Sequence, residues 1–524
     1  MRLIQADIRG YKHLKDVTVR FTPPEEGGLF QGGIPIRFFI GANGAGKSAF
    51  LEGLCFLFSR LVQDEVPGFD FFLCYDIRRA GKLYRVEVSP GRGRDKFEIR
   101  VFTEGRQGHE TLNSFEDRRG LLPDYVFTCA SGNNNNFYAI MMQSPKDSLY
   151  SDLFDASLLG KSTGDPVSRG RDAEKALSAL RRLEENPLCL FIDEQTSILA
   201  LCAFLAVLPC EGGREPGPYL RARERILSML DSAPQPRSFS LVLDAGRLAE
   251  LGEAVDEYGG VFSQRIRGRG DCWETVRLYQ GETEEARGDR VLTFRFAPWQ
   301  GEPGEGLHVK SLTEAYGDPL KFLSKLVLAR NQGLIKEAHL GLSLRGAGDI
   351  LAENALSEGE YMLLVRLGLL AMGGHAGDTC QCLYLLDEPD VYLNERWNIE
   401  FISLLHQICG AAGSRHEIIV ATHSSLILTD AFPEQLYYFH LEGGQVRCHT
   451  VRASTFGGNR NEIMQALFQT GHPVGSFAYS RVEQLLERAQ NWRELERCLE
   501  DVGSGYLRLR LLNRIRQLKE REEG

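Results

Sequence analysis

Nowhere in this chain is there an apolar run of transmembrane length. The best candidate, 198–208, covers about half of what a bilayer requires, so no membrane span is expected. An excess of basic charge is also missing. The 61 Lys and Arg are outnumbered by 71 Asp and Glu, giving a net charge of -10, so any contact with DNA needs a local patch. The 12 cysteines lack metal-site spacing. They sit singly, mostly in apolar runs such as Leu54-Cys55-Phe56, and the nearest pair, Cys380 and Cys382, is not zinc spacing. They read as reduced core thiols of a cytoplasmic protein. Met1-Arg2-Leu3-Ile4-Gln5-Ala6-Asp7 has no signal-peptide pattern. No heptad repeat is sustained, which excludes a long coiled-coil arm. The 55 glycines are scattered, which excludes a collagen-like or low-complexity chain.

What is present is the composition of a globular protein, 43% apolar and 25% charged, over a length that suggests roughly two to four lobes. The first 21 residues read as two strands about Gly10-Tyr11-Lys12. A short buried strand over 36–40 is followed by a glycine-rich loop and an apolar helix from Ser48 to about Val62. Residues 70 to 130 alternate as strands. From about 150 to 345 the pattern is mixed, with helices near 172–184, 196–208 and 219–231 and strands at 238–243, 273–280 and 290–297. Residues 360–372, 383–387, 396–409 and 417–422 then read helix, strand, helix, strand, the rhythm of a parallel sheet. The tail from 460 to 522 reads as helical, broken at Gly471-His472-Pro473 and at Gly503-Ser504-Gly505.

The chemistry is concentrated in four short segments. Gly41-Ala42-Asn43-Gly44-Ala45-Gly46-Lys47-Ser48 fits the Walker A pattern between a strand and a helix. Its glycines let backbone N–H groups face phosphate oxygens, and the helix adds its positive end. Lys47 is placed to reach the β- and γ-phosphates, and the Ser48 hydroxyl to ligate Mg²⁺. Such a loop needs a carboxylate at the end of a neighbouring buried strand. Two segments offer one: Leu190-Phe191-Ile192-Asp193-Glu194 and Leu383-Tyr384-Leu385-Leu386-Asp387-Glu388-Pro389. The second is favoured by its company. Leu356-Ser357-Glu358-Gly359-Glu360 precedes it, and Ala421-Thr422-His423-Ser424 follows it. Alone, Ser357 reads as a helix cap and His423 as a structural histidine.

The ordered set resembles the nucleotide-binding head of ABC-type ATPases. Within them it is similar to the soluble branch that contains the RecF and SMC heads and the OLD-like bacterial defence ATPases. The resemblance implies an α/β fold: a P-loop NTPase head of the two-lobed ABC type, with a mixed α/β insertion and a helical C-terminal tail. The expected boundaries are 1–150 and 346–450 for the two halves of the head, 151–345 for the insertion and 451–524 for the tail. It implies ATP and Mg²⁺ as cofactors. The loop of Gly41, Ala42, Asn43, Gly44, Ala45, Gly46, Lys47 and Ser48 would hold the phosphates, and Asp387 would hold Mg²⁺ through water. Glu388 would polarise the attacking water, and His423 would contact the γ-phosphate. Ser357 and Gly359 would touch the γ-phosphate of ATP bound to a second copy, so the chain would work as a head-to-head dimer or higher oligomer. A glutamine loop is expected too, and Gln143 and the polar turn Ser131-Gly132-Asn133-Asn134-Asn135 are its candidates.

The filling between Lys47 and Ser357 is too long for a transporter subunit and resembles that of stand-alone defence ATPases. No acidic cluster for metal-dependent cleavage follows Ser425. The segment from Ser454 to Phe468 is similar to the C-terminal regions of ATPases paired with separate nucleases, as in the Septu system and retron-linked relatives. The role expected from this is a sensor or regulator in antiphage defence with a nuclease partner. A repair or chromosome-maintenance ATPase and an ATP-dependent protein scaffold stand as alternatives. DNA is a partner only through local patches: the arginines of 506–521, or Arg265-Ile266-Arg267-Gly268-Arg269. Against the first stands a plain amphipathic helix, with Leu507, Leu511, Ile515 and Leu518 on its docked stripe.

Overall fold

In the computed structural model the described residues are 1–23, 34–63, 65–106, 108–112, 120–130, 188–192, 194–208, 218–244, 273–274, 290–296, 307–331, 335–346, 350–375, 380–409, 416–451, 453–468 and 474–523. They form a mixed α/β protein in two units, Met1–Phe456 and Gly457–Gly524. Gln143, the polar turn 131–135, the helix expected over 172–184, Asp193 and the run from Arg265 to Arg269 lie outside the described residues.

The first unit is organised by three sheets. Antiparallel pairing joins β1 (Arg2–Arg9), β2 (Val17–Arg20), β4 (Asp70–Arg79), β5 (Lys82–Pro90), β6 (Phe97–Thr103) and β7 (Glu110–Leu112) in the order β2-β1-β4-β5-β6-β7. In β6 Phe97, Ile99 and Val101 are buried and the residues between them are not, the alternation of a sheet with one covered face.

A second, seven-stranded sheet contains β3 (Ile36–Gly41), β8 (Tyr125–Ala130), β9 (Leu188–Ile192), β16 (Cys382–Asp387), β17 (Glu417–Ala421), β18 (Leu436–Glu442) and β19 (Gln445–Thr450), in the order β19-β18-β3-β17-β16-β8-β9. Every pairing is parallel except that of the edge strand β19. Every residue of β3, β16 and β17 is buried, as unbroken apolar runs in a sheet covered on both faces should be. α1 (Lys47–Gln63) lies between this sheet and the first: Phe50, Leu54 and Phe58 share one core with Leu3 and Leu73 on one side and Phe39 and Leu385 on the other.

The third sheet runs β11-β12-β10-β14-β15. Its members are β10 (Gln235–Leu243), β11 (Trp273–Glu274), β12 (Arg290–Arg295), β14 (Ile335–Ser343) and β15 (Leu351–Ala352), with β13 (Leu307–His308) paired to β12. Around it are α2 (Glu194–Ala206), α3 (Pro218–Met229), α4 (Lys310–Tyr316) and α5 (Pro319–Asn331). α2 is buried on every side from Thr196 to Ala206, the mark of a central helix. α6 (Glu358–His375) packs against α2, α3 and α7 (Glu395–Cys409).

One part of the sequence expectation is redrawn here. Leu188 to Ile192 falls inside the segment expected to be an insertion, yet β9 pairs with β8 and extends the seven-stranded sheet. In the sequence Asp193-Glu194 therefore follows a strand of the same sheet as Asp387. Among the described residues no helix is long and apolar enough to cross a membrane.

The second unit holds α8 (Arg460–Phe468), α9 (Ser476–Arg488), α10 (Trp492–Cys498) and α11 (Tyr506–Glu523). Leu507, Leu511, Ile515 and Leu518 of α11 pack with Val482 and Leu495, so the amphipathic stripe read from the sequence is its docked face.

Candidate active site

β3 ends at Gly41 and α1 begins at Lys47, and the loop between them is shaped by three glycines of positive φ, Gly41, Gly44 and Gly46. Gly41 has φ 140°, and a Cβ there would lie 2.0 Å from the carbonyl oxygen of Phe439 in β18. Gly46 has φ 99°, and a Cβ there would meet Val446 at 2.8 Å and Leu14 at 3.2 Å. A side chain at either position would lift the loop off the β18–β19 hairpin. Ala42, Asn43 and Gly44 are exposed at the tip, whereas Ala45 and Lys47 are buried.

The parallel register brings three strand ends level. Asp387 of β16 stands opposite Ala421 of β17, and Ala421 opposite Phe39 of β3. The segments that follow these strands, with Lys47, Glu388 and His423, therefore gather at one carboxyl edge, the usual ligand crevice of an open α/β sheet. Lys47 Nζ donates to the carbonyl oxygens of Gly41 (3.0 Å) and Ala42 (3.2 Å) and lies 2.7 Å from His423 Nε2. His423 Nε2 is in turn 3.7 Å from Glu388 Oε1. Burial lowers the Lys47 pKa to about 8, against the opposing charges of Asp387 and Glu388. Burial, then the charge of Lys47, pushes His423 below its ordinary value. A neutral His423 accepts at Nε2 from the Lys47 ammonium.

Asp387 is 6% exposed, and its carboxyl is hydrogen-bonded to Ser48. Burial raises it to about 6, a shift the Ser48 bond opposes. Its Oδ1 is buried without a hydrogen-bond partner. A buried carboxylate oxygen with free lone pairs beside a serine hydroxyl fits a magnesium ion or its water shell. Among the described residues no group of three His, Cys, Asp or Glu is placed to hold a metal.

Glu388 carries φ 48°, a left-handed conformation uncommon for a residue with a side chain, and its N–H donates to Ala421 O at 2.8 Å. Strained residues of this kind gather at functional sites. Two residues that were not singled out from the sequence, Arg366 and Asp390, hold this turn together with Thr422. Arg366 of α6, wholly buried, donates to the carbonyl of Pro389. Asp390 Oδ1 accepts from the Thr422 hydroxyl at 2.8 Å, and Thr422 Oγ1 accepts the Ser424 N–H at 2.9 Å. The signal was available in each case: one arginine inside the apolar run of α6, and polar residues directly after two apolar strands.

Ser357 is exposed and caps α6. Its Oγ accepts the Glu360 N–H at 3.3 Å, and Glu360 Oε2 accepts the Ser357 N–H at 3.3 Å, a capping box. Gly359 is needed for packing: a Cβ there would lie 2.7 Å from the carbonyl oxygen of Tyr392. The structure thus brings Lys47, Ser48, Asp387, Glu388 and His423 together, and sets Ser357 and Gly359 at the start of α6 with local bonds and contacts of their own.

No family model and no curated protein matches this chain. The site therefore rests on its own residues. In the second unit, basic residues of α11 have partners within that unit. Arg508 donates to the carbonyls of Leu499 and Val502, Arg510 pairs with Glu483, Arg516 with Glu520, and Lys519 with Glu496. Over 457–524 the sequence carries eleven Lys and Arg against ten Asp and Glu, so this unit is close to neutral.

Proposed function

We propose that this chain is an ABC-type P-loop ATPase that binds ATP with Mg²⁺ at the carboxyl edge of its seven-stranded sheet and hydrolyses it to ADP and phosphate. One observation carries the reading: Lys47 and Ser48 of a glycine loop meet Asp387, Glu388 and His423, which come from two other strands, at hydrogen-bond or ion-pair range. The N–H groups of the 41–48 loop cradle the phosphates, and Lys47 supplies positive charge to them. Ser48 and Asp387 would hold Mg²⁺, which when bound neutralises charge on the β- and γ-phosphates. Glu388 orients the attacking water and accepts its proton as the new bond to the γ-phosphorus forms and the bond to the leaving ADP oxygen breaks. His423 contacts the γ-phosphate. Positioning and charge provide the catalysis, so few reactive groups are needed.

Ser357 and Gly359 complete the reading in a second copy. Ser357, exposed at the start of α6, faces the γ-phosphate of ATP on a paired head, and ATP joins the two. In defence ATPases of the class this chain resembles, such a cycle reports to a separate nuclease, and the proposed role is that of sensor or regulator. An HNH nuclease gene beside this one would support that role.

Mixing two inactive variants tests the pairing. Lys47→Ala removes the phosphate-loop charge and leaves Ser357. Ser357→Arg blocks closure and leaves Lys47. A mixed pair contains one complete composite site, so partial ATPase activity should return. Full activity of Ser357→Arg on its own would overturn the paired reading.

A further inference from the structure

The capping box of Ser357 uses only part of what Glu360 offers. Glu360 is 6% exposed, and its Oε2 accepts from both the Ser357 N–H and the Ser357 hydroxyl, at 3.3 and 3.1 Å. Its other oxygen, Oε1, accepts the N–H of Ser232 at 2.9 Å, from a residue 128 positions away in the turn before β10. Ser232 is itself held, because its carbonyl accepts the Arg345 N–H at 2.9 Å just after β14.

A second carboxylate does the same on the other side of Ser357. Glu353 Oε2 accepts the N–H of Leu340 in β14 at 2.9 Å, and Oε1 lies 3.5 Å from His339 Nδ1. Directly before Glu353, β15 is itself the edge strand of that sheet, with Ala352 paired to Gly341 and Leu351 to Leu342. Burial alone would raise both carboxyls. Bonds from His339 and Leu340 hold Glu353 below its ordinary value, and bonds from Ser232 and Ser357 do so for Glu360. Both therefore act as charged acceptors, the stronger kind. Around them Ile350, Leu351, Asn354, Ala355 and Ser357 are exposed, so few buried contacts steady this stretch.

We propose that Glu353 and Glu360 are positioning residues that lock Ser357 to the β10–β14 sheet, so that the placement of that sheet sets whether Ser357 can complete a paired ATP site. The proposal rests on the paired-head reading above. An ordinary helix cap needs one carboxylate oxygen and local partners. Here the cap is bridged on both sides to one sheet, through Ser232 before β10 and Leu340 of β14, and any displacement of that sheet moves Ser357 with it. The third sheet is thereby the input and the composite site the output.

The test uses Glu353→Gln and Glu360→Gln in the full chain. A glutamine at 360 keeps one carbonyl acceptor but presents an NH₂ where the second acceptor stood, so it cannot hold Ser232 and Ser357 together. Each variant should lower kcat at saturating ATP by about tenfold, the scale of one charged hydrogen bond, with KM little changed. Binding of a fluorescent ATP analogue to the dilute monomer should match that of the parent, with the melting temperature lowered by no more than several degrees. Parental kcat in both variants, with Ser357→Arg inactive, would overturn the lock and leave the paired reading standing. Loss of analogue binding together with a lowered melting temperature would show that the carboxylates only hold the fold. Should Glu360→Gln fail to fold, Glu353→Gln, at a partly exposed position, carries the same test alone. Full activity of Ser357→Arg would overturn the lock and the paired reading together.

Discussion

The two ends of the seven-stranded sheet carry similar side chains in opposite circumstances. At the carboxyl end stand Lys47, Asp387, Glu388 and His423, with the Glu388 and His423 side chains 37% and 29% exposed. At the amino end stand Arg37 of β3, Glu417 of β17 and His416 just before it, and these are sealed. Arg37 donates to Glu417 at 3.2 Å with both side chains fully buried, and His416 Nδ1 accepts the Cys382 N–H at 3.1 Å. Unpartnered polar atoms occur at both ends: Asp387 Oδ1 at one, Arg37 Nη1 and Nη2 and Glu417 Oε2 at the other. Charge and unmet hydrogen-bonding capacity therefore do not by themselves mark a site. What separates the ends is access, together with a loop shaped to receive a ligand.

If that contrast is right, substitutions at the carboxyl end abolish chemistry and those at the amino end abolish stability. Lys47→Ala should lower ATP turnover at least about a hundredfold and weaken nucleotide binding, measured as phosphate release. Normal turnover would remove the contrast altogether. Glu388→Gln should also lower turnover about a hundredfold but keep ATP binding, because the amide preserves shape and cannot take the proton. Its ATP-bound pair should accumulate on sizing with Mg²⁺, and Asp193→Asn serves as the control expected to leave turnover unchanged.

At the other end Arg37→Met leaves the Glu417 carboxylate buried without its cation and should cost about 3–5 kcal/mol in urea unfolding. Arg37→Met with Glu417→Leu removes both charges and should recover most of that loss. Equal losses in the single and double variants would mean that the pair is not what matters at this edge.

The smallest effect sharpens the comparison through pH. Burial pushes His416 down to about 4. Between pH 6.5 and 4 the unfolded chain takes up a proton that the folded His416 refuses. The stability present above 6.5 is thus lost as pH falls through this window, by on the order of 3 kcal/mol. His416→Asn keeps an acceptor for the Cys382 N–H and does not titrate, so its stability should fall less steeply over the same range. An unchanged slope would place the acid sensitivity elsewhere.

Much of the candidate site was legible because its signals are local. The 41–48 loop, the apolar strand before Asp387 and the strand before His423 each announce themselves within eight residues. Which strands pair is not local information. Nothing in Leu188 to Ile192 says that it joins β8 at the edge of the seven-stranded sheet, and an apolar run of that length reads the same in any buried sheet. The bond from Glu360 to Ser232 was illegible for the same reason, although the capping box itself is a short-range pattern. Arg366 was overlooked because an arginine inside an apolar helix reads as a flaw in the pattern, while in the structure it holds the Pro389 carbonyl beside Glu388.

The strand order has a consequence for how the protein is made. β3 pairs Ile36 with Ile418 on one side and Phe38 with Leu436 on the other. Both neighbours are synthesised almost four hundred residues later. At a ribosomal pace of about 5–20 residues per second, β3 waits roughly 20–80 seconds with both of its edges unpaired. Over the same interval the strand that leads into the nucleotide loop presents Phe38, Phe39 and Ile40 to whatever else is nearby, an aggregation hazard while it lasts. Holdase chaperones that engage the nascent chain near its beginning are therefore expected to govern the yield of active protein. Amber-truncated chains ending before Glu417 should accumulate as insoluble material however intact their first half is.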